Sequence, residues 1–146
     1  MLQELYQELI LDHGRSPRNH GVLADANCQQ EGHNPLCGDR VTVYVLEQAG
    51  VIKDVQFTGD GCAICIASSS LMTEFLKGRT VAEAKQVFSQ FQSAILEPET
   101  SSTVELGKLA ALQGVARYPM RVKCATLPWH TLVAALDKEK KTVCTE

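Results

Sequence analysis

Residues 40–62 carry the sequence R-V-T-V-Y-V-L-E-Q-A-G-V-I-K-D-V-Q-F-T-G-D-G-C, in which two runs rich in β-branched residues flank a short turn. The runs 40–47 and 51–58 have the composition of β-strands, and Gln48-Ala49-Gly50 between them predicts a hairpin. After Gly61 the apolar residues change to helical spacing, with one face marked by Ile64, Ala67, Leu71 and Phe75. The stretch therefore predicts an antiparallel hairpin that leads directly into a helix.

The segment before the hairpin predicts a helix and one more strand. Its first residues place Leu2, Leu5 and Leu9 at helical spacing, and Gly14 is expected to end that helix. A weaker strand is expected around residues 27–34. Together with the hairpin, this strand would complete a three-stranded antiparallel meander.

The segment after the hairpin predicts further helices. Capping patterns begin at Thr80 and at Ser102, and the last helix is expected to start near Thr126 with Pro128 in its first turn. Strands followed by helices indicate an α+β fold: a small three-stranded antiparallel sheet with helices packed on one face. We expect a single domain over residues 1–146, with an ordered core of about residues 2–137.

The composition is that of an ordinary globular protein, with 45% hydrophobic residues, 21% charged residues and a net charge of −3. No basic run suggests nucleic acid, which is therefore excluded as a partner. The apolar stretches are too short to cross a membrane, and the acidic N-terminus does not resemble a secretory signal. We expect a cytoplasmic protein whose six cysteines remain reduced.

Three of the six cysteines lie where a predicted element begins or ends. Cys37 stands in a turn two residues before Asp39, Cys62 opens the helix after the hairpin, and Cys124 follows Lys123 ahead of the last helix. Helix N-termini and cationic neighbours favour thiolates. Three thiolates and a carboxylate suit tetrahedral zinc or iron. The sequence therefore predicts a metal site formed by Cys37, Asp39, Cys62 and Cys124.

The alternative is that the cysteines are small buried hydrophobes, as cysteines in reduced proteins frequently are. This interpretation suits Cys28 and Cys144 better than the three in loops rich in Gly, Asp and Pro. Cys65 forms a C-x-x-C motif with Cys62, so that it either joins the site or packs beneath it, and packing is favoured. Ser68-Ser69-Ser70 lacks a paired base, which favours tight helix packing over catalysis.

Three motifs, N-P-L-C-G-D over residues 34–39, G-D-G-C-A-I-C-I-A-S-S-S over 59–70 and R-V-K-C-A-T-L over 121–127, together resemble the U-type iron–sulfur cluster assembly family. This family includes IscU, the N-terminal part of NifU, and SufU, and the resemblance extends to about Leu136. IscU-like members carry a His before the third cysteine, where this chain has Lys123. That difference and the segment 105–112 make the chain resemble the SufU branch.

The resemblance implies that a cysteine desulfurase, a pyridoxal-phosphate enzyme, passes sulfur to Cys37 as a persulfide. It also implies Zn²⁺ as the metal held by Cys37, Asp39, Cys62 and Cys124. The chain would then be a sulfurtransferase-like accessory to the desulfurase rather than a stand-alone enzyme.

Three functions remain open at this point. The chain could relay sulfur around a structural zinc ion, or act as a scaffold on which Cys37, Cys62 and Cys124 assemble an iron–sulfur cluster for recipient proteins. Lys123 favours the relay, whereas the additional thiol of Cys65 mildly favours the scaffold. The third function, a zinc-stabilised interaction module with no sulfur-transfer role, would leave the three motifs as coincidence.

Overall fold

A β-sheet covered on one face by helices forms the framework of the computed structural model, which describes residues 2–97, 104–138 and 142–144. In chain order the elements are α1 Leu2–Arg15, β1 Cys28–Asn34, β2 Asp39–Gln48, β3 Val51–Asp60, α2 Ala63–Leu76, α3 Val81–Leu96, a 3₁₀ segment Val104–Arg117, α4 Pro119–Leu136 and β4 Val143–Cys144. The α+β class is confirmed. The predicted cap at Ser102 lies outside the described residues.

The sheet has the strand order β3-β2-β1-β4, in which β1, β2 and β3 form the predicted antiparallel meander. Ala49 and Gly50 both have positive φ, as the tight two-residue hairpin requires. The short strand β4 adds a fourth member that runs parallel to β1, pairing Val143 with Gly32. The sheet is therefore mixed rather than purely antiparallel, and a two-residue strand has no period by which a sequence pattern could predict it.

Alternation along the strands sends one set of side chains towards the helices. Val41, Val43 and Val45 of β2 are almost completely buried on that side, and α4 packs across β1 and β2. Gly32 allows this packing, because a Cβ atom there would collide with Thr131 of α4. The aromatic ring of Phe91 in α3 stacks on Trp129 of α4 at 4.7 Å between centroids. Strand β2 and helix α4 therefore pack into the same hydrophobic core, which fixes their relative positions.

Helix α2 begins directly after the hairpin, as predicted, and is buried on most of its surface. Ser68, Ser69 and Ser70 are fully buried and engage in hydrogen bonds, with Trp129 Nε1 donating to Ser68 Oγ at 3.2 Å. The interpretation of these serines as packing residues is confirmed. Thr80 caps α3 by the predicted reciprocal bonds with Glu83.

Helix α4 begins at Pro119 rather than near Thr126, so the predicted start was wrong. Proline at the first helical position needs no N–H partner, and Pro119 therefore suits a helix start as well as Pro128 would. Pro128 instead lies inside the helix, where it has no N–H to offer the carbonyl of Cys124. The third motif cysteine consequently lies within a helix and not in front of one.

Candidate metal centre

Cys37 lies in the turn between β1 and β2. The last pair of the ladder joins Asn34 to Asp39, and Asn34 Oδ1 accepts a hydrogen bond from the Leu36 N–H at 3.2 Å. Gly38 provides the positive φ of 72° that closes the turn. The turn leaves Cys37 partly exposed, whereas Asp39 at the start of β2 is fully buried.

Asp39 is fixed by the backbone at the start of α2. Its Oδ1 atom accepts a hydrogen bond from the Cys62 N–H at 2.8 Å. A Cβ atom on Gly61 would lie only 2.5 Å from the same oxygen, so the close approach of backbone to carboxylate requires glycine there.

Cys62 is the N-cap residue of α2, as its predicted place at the helix start requires, and it makes no side-chain capping bond. Its Sγ atom lies 3.9 Å from Asp39 Oδ2. The carboxylate of Asp39 thus contacts Cys62 twice, once through the backbone N–H and once through sulfur. These contacts hold β2 and α2 together at the site.

Cys124 enters the site from the middle of the N-terminal half of α4 and is fully buried. The sequence predicted a lowered thiol pKa at a helix start, and this prediction was wrong. Burial raises the pKa of Cys124, and hydrogen bonds to Asp39, Cys37 and Cys62 raise it further. In the metal-free protein Cys124 is therefore a buried thiol that needs a cation to ionise.

Cys37, Asp39 and Cys124 converge from the turn, β2 and α4. Their ligand atoms all lie within 4.8 Å of one another, the only such group of three or more ligand residues in the part of the chain that the structure describes. Two sulfur ligands of a tetrahedral zinc ion are about 3.8 Å apart, since each Zn–S bond is about 2.3 Å. Cys62 lies outside this group of three but contacts its carboxylate.

Arg121 also belongs to the site, although the sequence alone did not assign it a role. It lies one helical turn before Cys124, and its pKa is raised by the charge of Cys62 and by hydrogen bonds to Cys124 and Cys62. The guanidinium of Arg121 thus lies beside both sulfurs. The spacing of Arg121 and Cys124 by three residues would have indicated this contact had the helix been placed correctly.

The other cysteines do not join the site. Cys65 is fully buried in the core, and burial raises its pKa far above that of a free thiol, so the packing interpretation is confirmed. Cys28 is buried as expected. Cys144 is exposed, so its interpretation as a buried hydrophobe was wrong. It lies on the short strand β4 beside His33.

A groove of about 810 Å³ adjoins Cys37. Its walls come from the β1–β2 turn, the end of the 3₁₀ segment and the start of α4. Three large apolar side chains are unusually exposed there, since Leu36, Tyr118 and Met120 show 59%, 60% and 49% of their surface. An apolar groove rimmed by arginines, Arg117 and Arg121, is typical of a surface that binds another protein.

Comparison with known proteins identifies the family. Residues 5–125 match the family model of the NifU-like N terminal domain. The zinc-dependent sulfurtransferase SufU of Bacillus subtilis is 38% identical over 139 residues, covering 95% of this chain and 94% of that protein. The iron–sulfur cluster assembly scaffold protein IscU of Thermotoga maritima is 40% identical over 136 residues, covering 92% and 94%.

The solved structures agree with the observed fold. The N-terminal part of a nitrogen-fixing NifU-like protein from Brucella abortus superposes with a TM-score of 0.83 over 96% of this chain and 99% of that one, at 24% identity. The chain therefore belongs to the family of NifU-like N-terminal domains, and within it is similar to both SufU and IscU proteins. Within the described residues, no helix is long and apolar enough to cross a membrane.

Proposed function

We propose that this protein takes part in iron–sulfur cluster assembly by accepting sulfur from a cysteine desulfurase at Cys37. The observation that carries the proposal is the convergence of Cys37, Asp39 and Cys124 within 4.8 Å, with Cys37 alone of the three partly exposed. The similarity to a zinc-dependent sulfurtransferase and to cluster scaffolds supports it. The protein works as an accessory to the desulfurase and passes sulfur or a nascent cluster to recipient proteins.

A zinc ion fits the residues present. Cys37, Asp39, Cys62 and Cys124 offer three sulfurs and one carboxylate, a donor set that zinc accepts in tetrahedral geometry. The ligand atoms of Cys37, Asp39 and Cys124 already lie within 4.8 Å of one another. The ion, when bound, keeps these sulfurs ionised despite their burial.

The sulfur-transfer step depends on the exposure of Cys37. Its thiolate attacks the terminal sulfur of the desulfurase persulfide, forming a new S–S bond while the desulfurase thiolate leaves. The transferred sulfur keeps its proton in this step, so atoms and charge balance. Cys62 and Cys124 are less suited to this attack, because one is held against Asp39 and the other is fully buried.

The groove beside Cys37 is the surface on which the desulfurase would bind. Exposed Leu36, Tyr118 and Met120 offer apolar contact within reach of the accepting thiol. A partner that covers this groove excludes water from Cys37 and brings its own persulfide to the turn. When the desulfurase docks, another ligand can replace Cys37 on the metal. The Cys37 thiolate is then free to attack the persulfide.

The alternatives differ in what the site holds. A scaffold would carry a cluster as its cargo on Cys37, Cys62 and Cys124, and Cys65, the additional thiol that favoured this function, packs beneath the site. Lys123, in place of a ligand, favours the relay. A zinc-stabilised interaction module would bind metal but accept no sulfur.

Metal analysis and desulfurase turnover distinguish these functions. We expect about one zinc ion per chain after anaerobic purification, no visible chromophore, and faster cysteine turnover by the desulfurase when the protein is added. Iron with acid-labile sulfide that survives gel filtration would instead make the protein a scaffold. Zinc without any effect on turnover would make it an interaction module.

Cys37→Ser tests the accepting residue, with Cys144→Ser as its control. Both changes replace one sulfur by oxygen, but Cys144 is exposed on β4 and outside the candidate metal centre. Cys37→Ser should abolish persulfide formation detected by alkylation and mass spectrometry, and Cys144→Ser should leave it unchanged. Normal persulfide formation in Cys37→Ser would refute the assignment.

A further inference from the structure

Asn34 carries a buried hydrogen-bond donor without an acceptor. The residue ends β1 and is fully buried. Its Oδ1 atom accepts from the Leu36 N–H, but its Nδ2 atom has no partner, the one such side-chain atom among the described residues. More than nine in ten buried polar groups of proteins are satisfied. An unsatisfied amide beside a functional site therefore indicates that an acceptor arrives with a ligand.

The orientation of the Asn34 amide is fixed by its own turn. Exchanging the positions of Oδ1 and Nδ2 would point a donor at the Leu36 N–H, which is itself a donor, so the exchanged orientation is excluded. The bond to Leu36 also prevents the side chain from rotating its Nδ2 atom out to solvent. The donor is thus held in a buried position whether or not an acceptor is present.

Asn34 lies next to the candidate metal centre. It is the ladder partner of Asp39, and both side chains are on the buried face of the sheet. Gly32, two residues earlier on the same face, packs against Leu127 and Thr131 of α4. Asp39, the ladder partner of Asn34, hydrogen-bonds with Cys124 of α4. The unsatisfied amide therefore lies at the base of the turn that carries Cys37, beside the carboxylate that contacts Cys124.

We infer that the Asn34 amide binds the sulfur delivered to Cys37, with Nδ2 donating a hydrogen bond to the terminal sulfur of the Cys37 persulfide. The inference rests on the proposed function. In the protein without added sulfur, no sulfur atom accepts from Nδ2. A persulfide extends the Cys37 side chain by an S–S bond of about 2.05 Å, and that extension supplies the missing acceptor.

The hydrogen bond stabilises the charge that the transfer leaves behind. Cys37 receives the sulfur as –S–SH, and the terminal sulfur becomes an anion when its proton passes to solvent. An N–H donor held in a buried site binds an anionic acceptor more strongly than a neutral one. Asn34 therefore favours the persulfide of Cys37 over its free thiolate, and it slows the loss of sulfur to small thiols.

Two substitutions distinguish the donor function of Asn34 Nδ2 from the role of Asn34 Oδ1 in the turn. Asn34→Asp keeps the size of the side chain and the oxygen that accepts from Leu36, but removes the donor. Asn34→Ala removes both. Zinc-loaded proteins are treated with inorganic polysulfide, and persulfide at Cys37 is quantified by alkylation and mass spectrometry, before and after addition of mercaptoethanol. Zinc affinity is measured for the same proteins by competition with a chelator.

Both variants should shorten the half-life of the Cys37 persulfide by about ten- to hundredfold, as the loss of one hydrogen bond to a charged group predicts. Zinc affinity should be no weaker than in the unmodified protein. A normal half-life in Asn34→Asp would overturn the inference, leaving Asn34 as a turn residue only. Equal losses of zinc affinity and half-life would overturn it too, because the amide would then support the metal ligands.

The polysulfide probe keeps this test separate from the proposed function. Inorganic polysulfide needs no desulfurase, so the role of Asn34 is measured on Cys37 directly. Failure of the unmodified protein to accept sulfur from a desulfurase would refute the proposed function, whatever the polysulfide experiment shows for Asn34.

Discussion

Gly61→Ala tests whether the backbone at the start of α2 fixes the carboxylate of Asp39. The added Cβ atom would lie 2.5 Å from Asp39 Oδ1, 3.1 Å from its Cγ and 3.2 Å from its Cα, whereas ordinary contact begins at 3.4 Å. Asp39 starts a strand and is paired with Asn34, so its backbone cannot retreat freely. The carboxylate must therefore move by about 1 Å, and the 2.8 Å bond from the Cys62 N–H is lost.

The cost follows from the bond that breaks. A hydrogen bond to a charged group contributes about 1.5–3 kcal/mol, and domains of this size are stable by only about 5–15 kcal/mol. We expect urea unfolding of the zinc-free protein to show a loss of about 1.5–3 kcal/mol. Zinc affinity, measured by chelator competition, should fall about tenfold or more, because Asp39 is displaced from the other ligands.

Gly114→Ala is the matched control for Gly61→Ala, since it adds the same methyl group. A Cβ atom on Gly114 would meet nothing within 4 Å, and the φ of Gly114 is not positive. We expect that variant to keep its stability within about 0.5 kcal/mol and to bind zinc normally. Equal stability and zinc affinity in the two variants would refute the role assigned to the approach of Gly61 to Asp39.

Two further predictions concern parts of the fold away from the site. Burial and the nearby charge of Arg18 lower the pKa of His13, whose Nδ1 shares a hydrogen bond with Ser70 Oγ at 2.6 Å, so the unfolded chain binds a proton more readily than the folded one. The free energy of unfolding of the zinc-free protein should therefore fall as the pH drops below 6.5, and His13→Gln should flatten that dependence in urea titrations. Thr80→Ala should cost about 1 kcal/mol in the same assay, because it removes the bond from the Glu83 N–H, and a loss below about 0.3 kcal/mol would contradict this.

The sequence predicted the hairpin, α2 and the capped start of α3 because local rules determine each of them. β-branched runs, a two-residue turn and the reciprocal bonds of Thr80 and Glu83 involve residues close in the chain. The predicted start of helix α4 was wrong because Pro119 and Pro128 both suit a first helical turn. Only the packing of α4 on β1, through Gly32 and Thr131, makes one of them internal.

The sequence predicted a metal site at Cys37, Asp39, Cys62 and Cys124, and the metal ligation by these four residues stays a prediction. The turn of Cys37 and the helix start at Cys62 were visible as motifs, and the structure brings Cys37, Asp39 and Cys124 together. The raised pKa of Cys124 was not predictable, because burial depends on which helix covers the residue. The unsatisfied amide of Asn34 was hidden for the same reason, since an Asn before a turn ordinarily only caps it.

The fold separates two demands that conflict within one set of thiols. Holding a metal ion favours ligands that barely move, and the packed helices α2 and α4 provide this for Cys62 and Cys124. Accepting sulfur requires a thiol that a partner can reach, and Cys37 on the β1–β2 turn is partly exposed beside the apolar groove, whereas Cys62 is held against Asp39. Asn34 and Asp39 are paired at the base of that turn. This pair joins the turn of Cys37 to the buried part of the site. If Cys37 binds metal and accepts sulfur as proposed, this buried pair would let it leave the metal while the turn keeps its place beside the group.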